Sequence, residues 1–201
     1  MIFCVLDTET TGLDPIFHEV IQVAAILCDG QLNELDRISF KLRPKFIERA
    51  SEKALEVNGY HPRTWKPDFF SHRKALNHLN KFLNAGTKDG SSLIMVGQNV
   101  KFDYEFMKAL YDREDQFFPF APETLDLIMV AKMWSAANDK VLKRFSLKHL
   151  AEFTNQVNTK PHDAEADAEV TLDILRWFVD DLKKGTRNDK RRFSKYSSIK
   201  I

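Results

Sequence analysis

Two acidic residues at the end of the first apolar run have a spacing that suits metal-dependent chemistry. In "FCVLDTETTGLDP", Asp7 and Glu9 are two positions apart at the end of a strand-like segment. Because side chains alternate between the faces of a strand, both carboxylates project from the same face. Unpaired buried charges are costly, and two like charges repel each other. We therefore expect a cation between them.

Two further acids fall on the apolar faces of predicted helices, where a surface acid is not expected. Asp103 shares a helical face with Phe106, Met107 and Leu110. Asp167 shares one with Thr171, Ile174, Leu175 and Phe178. Four inward-facing carboxylates supply the hard oxygen ligands that Mg²⁺ or Mn²⁺ prefers.

A histidine accompanies the last of these acids, in "KPHDAEAD". His162 is five residues before Asp167, so the two do not share a helical face, and we expect the histidine on the preceding turn. Asp163 is a candidate N-cap. Taken alone, each residue has a structural explanation as a cap, a structural histidine or a strand end at the surface. Together they indicate a catalytic site.

The elements that must position these residues follow from the hydrophobic pattern. Strands are expected at 2–7, 19–28, 35–43, 92–97 and 123–126. Helices are expected near 47–57, 70–85, 101–113, 127–136, 146–154 and 163–184, with Ser146 as an N-cap and Gly185 as a C-terminal stop. Three consecutive strands, followed by strands that alternate with helices, predict an α/β sheet of mixed direction.

The composition is that of an ordinary globular chain. It has 201 residues, 43% of them hydrophobic and 29% charged, with a net charge of +1. Cys4 and Cys28 lack metal-type spacing, which favours a reducing, cytoplasmic environment. No apolar run is long enough to span a membrane, so we expect no membrane association. We expect a catalytic domain at 1–185 and a basic tail at 186–201, which either contacts phosphates or is a solvated end.

Three motifs in this order carry a resemblance to a known family. "DTETTG", "NVKFD" and "HDAEAD" resemble the three motifs of the DEDDh 3′→5′ exonucleases, the superfamily of proofreading subunits, ribonuclease T and the TREX enzymes. The resemblance extends from about residue 2 to residue 180, and the histidine ahead of the last acid marks the subclass. It implies a ribonuclease H-like fold, with a mixed five-stranded sheet flanked by helices.

The resemblance also implies the chemistry. Nucleoside 5′-monophosphates would be released from the 3′ end of single-stranded or frayed DNA or RNA, with two Mg²⁺ or Mn²⁺ ions per site. Asp7, Glu9 and Asp167 would hold one ion, while Asp7 and Asp103 would serve the second. His162 would act as the general base.

The contacts with substrate follow from the same resemblance. The terminal nucleotide would be contacted by "TETTGL" and by residues near the other motifs: Thr8, Thr10, Leu13, Asn58, Asn99 and Phe102. Asn58 stands where proofreading subunits often have a histidine, and Phe102 could equally belong to the core. Phe69, Phe70, Phe117 and Phe118 lie beside loops and are candidates for stacking on bases.

Two other functions remain open from the sequence. "LDTETT" is similar to the start of haloacid dehalogenase-type phosphatases, although Glu9 stands where an aspartate is expected. A non-catalytic nucleic-acid-binding or adaptor domain on the same fold is the second alternative. The preference for DNA or RNA, a polymerase or other nucleic-acid enzyme as partner, and a homodimer are also left open.

Overall fold

The computed structural model describes residues 1–65, 69–87 and 92–188 of the chain. The strands are β1 (Ile2–Thr10), β2 (Val20–Cys28), β3 (Glu34–Leu42), β4 (Phe69–Phe70), β5 (Leu93–Gly97) and β6 (Thr124–Asp126). The helices are α1 (Glu52–Val57), α2 (Pro62–Trp65), α3 (His72–Gly86), α4 (Val100–Arg113), α5 (Leu127–Ala137), α6 (Leu147–Thr154) and α7 (Ala164–Asn188), and a 3₁₀ turn spans Ile47–Arg49. Of the expected basic tail, residues 189–201 lie outside the described part.

The strands form one sheet in the order β4-β3-β2-β1-β5-β6. The pairs β1–β2 and β2–β3 are antiparallel, whereas β1–β5, β5–β6 and β3–β4 are parallel. The expected mixed sheet is thus confirmed, but the described residues contribute six strands rather than five. The additional strand is β4, whose second residue, Phe70, lies in the region expected to begin a helix.

The central strand β1 separates two apolar cores, and this sets the direction of the acidic side chains. Leu6 packs in the core formed with α3 and α4, whereas Val5 packs in the core formed with α5, α6 and α7. Since side chains alternate, Asp7 and Glu9 point toward the α7 side and Thr8 toward the α4 side.

Several predicted boundaries were wrong. The expected helix over 47–57 is interrupted at Ala50, whose backbone is extended, and the N–H of Ser51 donates to the carbonyl of Thr11 (2.8 Å). α7 continues through Gly185 to Asn188. Strand β1 runs three residues beyond position 7 because β2 continues to pair with it. Ser146 does precede α6, but its side chain makes no capping hydrogen bond.

Hydrogen bonds to the buried side chain of Glu19 hold segment 43–51 in place. The Glu19 carboxylate accepts the backbone N–H groups of Lys45 (3.0 Å) and Phe46 (2.8 Å). The carbonyl of Glu19 accepts the N–H of Thr11 (2.8 Å). These bonds join the loop after β1 to segment 43–51.

Both cysteines lie in the protein core. Cys4 and Cys28 are free and buried, and burial raises the pKa of Cys28 to about 11. Both therefore act as small apolar side chains.

Within the described ranges, every helix is too short or too polar to cross a bilayer.

Candidate active site

Asp7 and Glu9 occupy the last part of β1, opposite Ala24 and Gln22 of β2. Burial raises the pKa of Asp7 well above its usual range, and the charges of Asp103, Asp167 and Glu9 raise it further. Burial, with the charges of Asp167 and Asp103, raises the pKa of Glu9 to about 8. The sheet therefore holds several carboxylates close together, although their ionised forms destabilise one another.

Asp167 lies in the first turn of α7 and is fixed by two hydrogen bonds. Its Oδ1 accepts from the Asn158 side-chain amide, and its Oδ2 accepts from the backbone N–H of His162 (3.2 Å). Burial raises the pKa of Asp167 in spite of these bonds, which lower it. Both donors come from the turn ahead of α7, so that turn sets the orientation of the carboxylate.

His162 lies on this turn, with its backbone in the left-handed region (φ 64°). A β-carbon disfavours that region, so the N–H bond to Asp167 compensates for local strain. The conformation brings the exposed imidazole beside the acids. Ligand atoms of Glu9, His162 and Asp167 all lie within 4.8 Å of one another. Three residues from two distant parts of the chain thus form one compact group.

Asp103 approaches the site from the other side of β1. Its side chain is 4% exposed, and its Oδ1 accepts from both the backbone N–H (2.9 Å) and the hydroxyl (2.7 Å) of Thr8. Burial raises the pKa of Asp103 to about 7, and the two bonds from Thr8 oppose that rise. Asp103 is outside the compact group of three, but its charge acts on Asp7.

We expect Thr8→Val to reduce turnover by about tenfold, because a single hydrogen bond to a charged group contributes about 1.5–3 kcal/mol. The valine keeps the shape of the side chain but removes the hydroxyl that orients Asp103. Steady-state kinetics should show the loss mainly in kcat. Thr8→Ser, which keeps the hydroxyl, is the matched control, and an equal loss in both variants would contradict this assignment.

The four acids fit a divalent cation as their partner. Among the described residues, no lysine or arginine forms an ion pair with Asp7, Glu9, Asp103 or Asp167. Buried carboxylates without a cationic partner are unstable when ionised. Carboxylate oxygens with one imidazole are a donor set suited to Mg²⁺, Mn²⁺ or Zn²⁺.

Two of the expected substrate-binding residues form hydrogen bonds with the protein backbone. The Thr10 hydroxyl donates to the Gly12 carbonyl (2.6 Å). The Asn58 amide donates to the Thr10 carbonyl (3.0 Å), and its oxygen accepts the N–H of Tyr60 (3.1 Å). Both side chains therefore stabilise the backbone of the loops at the rim of the site.

The other expected contacts differ in exposure. Leu13 is 82% exposed on the loop after β1, and Asn99 is exposed at the start of α4 in the left-handed region. Phe102 is half-buried and packs against Phe106, with ring centroids 4.7 Å apart. Phe117 is exposed, whereas Phe118 packs in an edge-to-face contact with Tyr104 and Tyr111.

Sequence reasoning missed Asn158, which orients Asp167, and the bonds from Thr8 to Asp103. An amide nine residues before an inward-facing acid was the only available signal for Asn158. The expected cap at Asp163 is present but long, since its Oδ1 accepts the Ala166 N–H at 3.5 Å. Its Oδ2 contacts Lys160 Nζ (2.6 Å), so its main partner is a lysine.

A solved structure with the same fold is the zinc-bound complex of Escherichia coli exonuclease I with single-stranded DNA. The TM-score is 0.75 and the identity 20%, over 91% of this chain and 43% of that chain. The mixed sheet and its flanking helices are therefore a ribonuclease H-like α/β fold of the exonuclease I type.

Residues 4–175 match the RNase_T exonuclease family model, and the chain belongs to this family. The family consists of hydrolytic nucleases that use divalent metal ions.

Two curated relatives differ greatly in size. Ribonuclease T of Hahella chejuensis is 29% identical over 181 residues, which cover 85% of this chain and 80% of that protein. A PolC-type DNA polymerase III of Thermotoga petrophila is 28% identical over 184 residues, which cover 90% of this chain but only 12% of the polymerase. The chain thus spans most of one relative and a small part of the other.

Proposed function

We propose that this chain is a 3′→5′ exonuclease that hydrolyses single-stranded or frayed DNA or RNA to nucleoside 5′-monophosphates. One observation carries the proposal: Glu9, His162 and Asp167 converge within 4.8 Å beside the half-buried Asp7, in a chain of the exonuclease family. The catalytic domain is assigned to residues 1–185, and 186–201 to a basic tail.

The carboxylates are proposed to hold two divalent ions, Mg²⁺ or Mn²⁺. Asp7, Glu9 and Asp167 would bind one ion, while Asp7 and Asp103 would serve the other. Bound there, the ions would polarise the scissile phosphate and stabilise charge on the attacking and leaving oxygens. Thr8 and Asn158 keep two of the carboxylates oriented, because each donates a hydrogen bond to one of them.

His162 is assigned as the general base. Its imidazole accepts a proton from the attacking water and, being exposed, can return that proton to solvent. Its backbone N–H remains bonded to Asp167, which holds the turn in place while the ring changes charge.

The strand's 3′ end is proposed to enter over the loop after β1. Leu13 would pack against the terminal base, since it is an exposed apolar side chain at the rim. Asn99 and Phe102 would border the same nucleotide, while Thr8, Thr10 and Asn58 act from below through the contacts already described. The relative named ribonuclease T supports RNA as a substrate, and the polymerase relative supports DNA as a substrate. A polymerase partner and a homodimer remain predictions.

The test is digestion of 5′-labelled single-stranded DNA and RNA of identical sequence with Mg²⁺ or Mn²⁺. A ladder that shortens from the 3′ end and disappears in EDTA is the expected result. Comparing the two strands in the same experiment also determines the nucleic-acid preference. No shortening of either strand would contradict the proposal and favour a binding domain on the same fold.

We expect His162→Asn to lower kcat by about 100- to 10,000-fold, the usual contribution of a general base. Mn²⁺ affinity, measured by isothermal titration calorimetry, should change by less than about threefold, since His162 is assigned as a base rather than a ligand and all four proposed carboxylate ligands are retained. His149→Asn is the control, because His149 is a half-buried histidine on α6, outside the group formed by Glu9, His162 and Asp167. A parallel loss of metal affinity and activity would make His162 a ligand instead.

A further inference from the structure

A groove leads away from His162 across β3 and around the edge of the sheet. Two adjoining cavities of about 260 and about 640 Å³ share Lys41, Lys160 and Asp163 in their walls. The smaller cavity reaches His162, and the larger one reaches Phe70 and Lys74. We call this continuous depression the β3 groove. Because it begins at the candidate active site, a polymer bound there could extend along it.

The groove exists because α7 does not cover all of the sheet. Phe40 and Leu42 of β3 point into the core with α3, so Ser39 and Lys41 point to the opposite face. On that face α7 packs along β1 and β2. The end of β3 is left open, and Ser39 and Lys41 line the groove on this face. Phe40, Phe70 and Lys74 line it from the α3 side, so the groove continues around the edge of the sheet.

Two lysines supply positive charge along the groove. Lys41 Nζ lies 4.5 Å from the centroid of the Trp65 ring, and Lys74 Nζ lies 5.0 Å from that of Phe70. A cation–π contact positions an ammonium group without neutralising it. Neither lysine forms an ion pair with an acid among the described residues. Both charges remain available to an anionic ligand.

Aromatic rings lie beside these charges. Phe69 pairs in register with Lys41 across β3 and β4, and both it and Phe70 are half-buried, so that part of each ring remains accessible. Phe69 is supported from behind by Tyr60, with nearly parallel rings at 6.2 Å. Alternating cations and aromatic rings are the combination that binds single strands, through phosphates and bases respectively.

The acids that line the groove are not partners of Lys41 or Lys74 among the described residues. Asp163 is already paired with Lys160 at 2.6 Å. Glu165 is exposed at the start of α7 and lines only the larger cavity. Glu56 is exposed and lines only the smaller cavity. Two acids without a lysine partner, Glu56 and Glu165, thus match Lys41 and Lys74 in number, but within the described part of the chain neither acid forms an ion pair with either lysine.

We propose that the β3 groove binds the phosphodiester backbone of a single strand upstream of the nucleotide being removed, with Lys41 and Lys74 at phosphates and Phe69 and Phe70 beside bases. This inference rests on the proposed exonuclease function and adds the path of the strand to it. It assigns the binding of long substrates to side chains outside the three sequence motifs.

The test compares a long and a minimal substrate in the double variant Lys41→Gln/Lys74→Gln. For a single strand of about 20 nucleotides we expect KM to rise at least about tenfold, and the slope of log KM against log[salt] to fall by about 1.4, or about 0.7 for each lost phosphate contact. A dinucleotide bound at His162 is confined to the smaller cavity, which Lys41 lines but Lys74 does not. The loss on the long strand should therefore exceed the loss on the dinucleotide at least about tenfold.

The matched control is Lys81→Gln/Lys108→Gln, which removes the same charge from exposed positions on α3 and α4. Lys74→Gln alone guards against a packing defect at Trp65, and circular dichroism should show all variants folded. The groove assignment is wrong if the two double variants behave alike, or if the long and short substrates lose activity equally.

A binding measurement separates this inference from the proposed function. Fluorescence anisotropy of the labelled long strand, with Asp7→Asn as the common background, reports binding without turnover. Weaker binding in the lysine double variant would support the groove even if the wild-type protein degraded no nucleic acid. A wild-type enzyme that makes the 3′ ladder, with unchanged binding in the variant, would retain the function and reject the groove.

Discussion

Asp7→Asn is expected to abolish turnover while raising the melting temperature of the metal-free protein. Asp7 is the acid whose charge is opposed by the largest number of neighbours, namely Asp103, Asp167, Glu9 and Asp163. Asparagine has nearly the same shape, so it removes the repulsion without leaving a cavity. It also removes the ligand proposed to serve both metal ions. Loss of about 4 kcal/mol of transition-state stabilisation corresponds to a fall in kcat/KM of about 1,000-fold.

Two measurements on the same preparation test this opposition between activity and stability. Thermal unfolding in EDTA should give a melting temperature several degrees above that of wild type, since about 1 kcal/mol shifts it by roughly 2–4 °C in a domain of this size. Asp112→Asn, an exposed acid on α4, is the control and should alter neither quantity. Activity within about tenfold of wild type would remove Asp7 from the reaction centre.

The metal-free protein is expected to lose stability as the pH rises from about 6.5 to about 8.5, and divalent cations should reverse that loss. The pKa values of Glu9 and Asp103 are raised to about 8 and about 7, from ordinary values of 4.5 and 3.8. In this range the unfolded carboxyls are already ionised, whereas the folded ones still hold protons. The folded state therefore binds more protons, so its stability falls with rising pH until the folded carboxyls have lost those protons.

The size of this effect should be large relative to the stability of a domain. One pKa unit corresponds to about 1.4 kcal/mol, and a domain is stable by only about 5–15 kcal/mol. The acids interact, so their protons dissociate as a group rather than one residue at a time. Melting curves that begin at about pH 6.5 also exclude the contribution of His72 to the pH dependence of stability. Burial lowers the pKa of His72, so its protonation affects stability at lower pH.

Melting curves in EDTA across this pH range, repeated with excess Mg²⁺ or Mn²⁺, measure the effect directly. Glu9→Gln should flatten the pH dependence and weaken the stabilisation by metal, because it removes one titrating group and one proposed ligand. Glu169→Gln, an exposed acid on α7, should leave both unchanged. A melting temperature that rises with pH in EDTA would mean that the acids are compensated by another group.

Local periodicity in the sequence determined much of the candidate site. Alternation along β1 placed Asp7 and Glu9 on one face, and helical spacing placed Asp103 and Asp167 on buried faces. These patterns depend on residues within about two helical turns of one another, and secondary-structure geometry alone relates them. The order of the three motifs likewise led to the family, which the match over residues 4–175 confirmed.

Only the tertiary structure decided which side chains meet. Thr8 and Asp103 are 95 positions apart, and their hydrogen bond exists because α4 packs against the Leu6 face of β1. Strand β4 has two residues and is held by pairing with β3, so no local pattern could identify it. The position of His162 depends on a left-handed turn fixed by Asp167, and the β3 groove depends on where α7 stops covering the sheet. Such contacts form when distant segments of the chain pack together. No short-range periodicity in a sequence indicates which distant segments will meet.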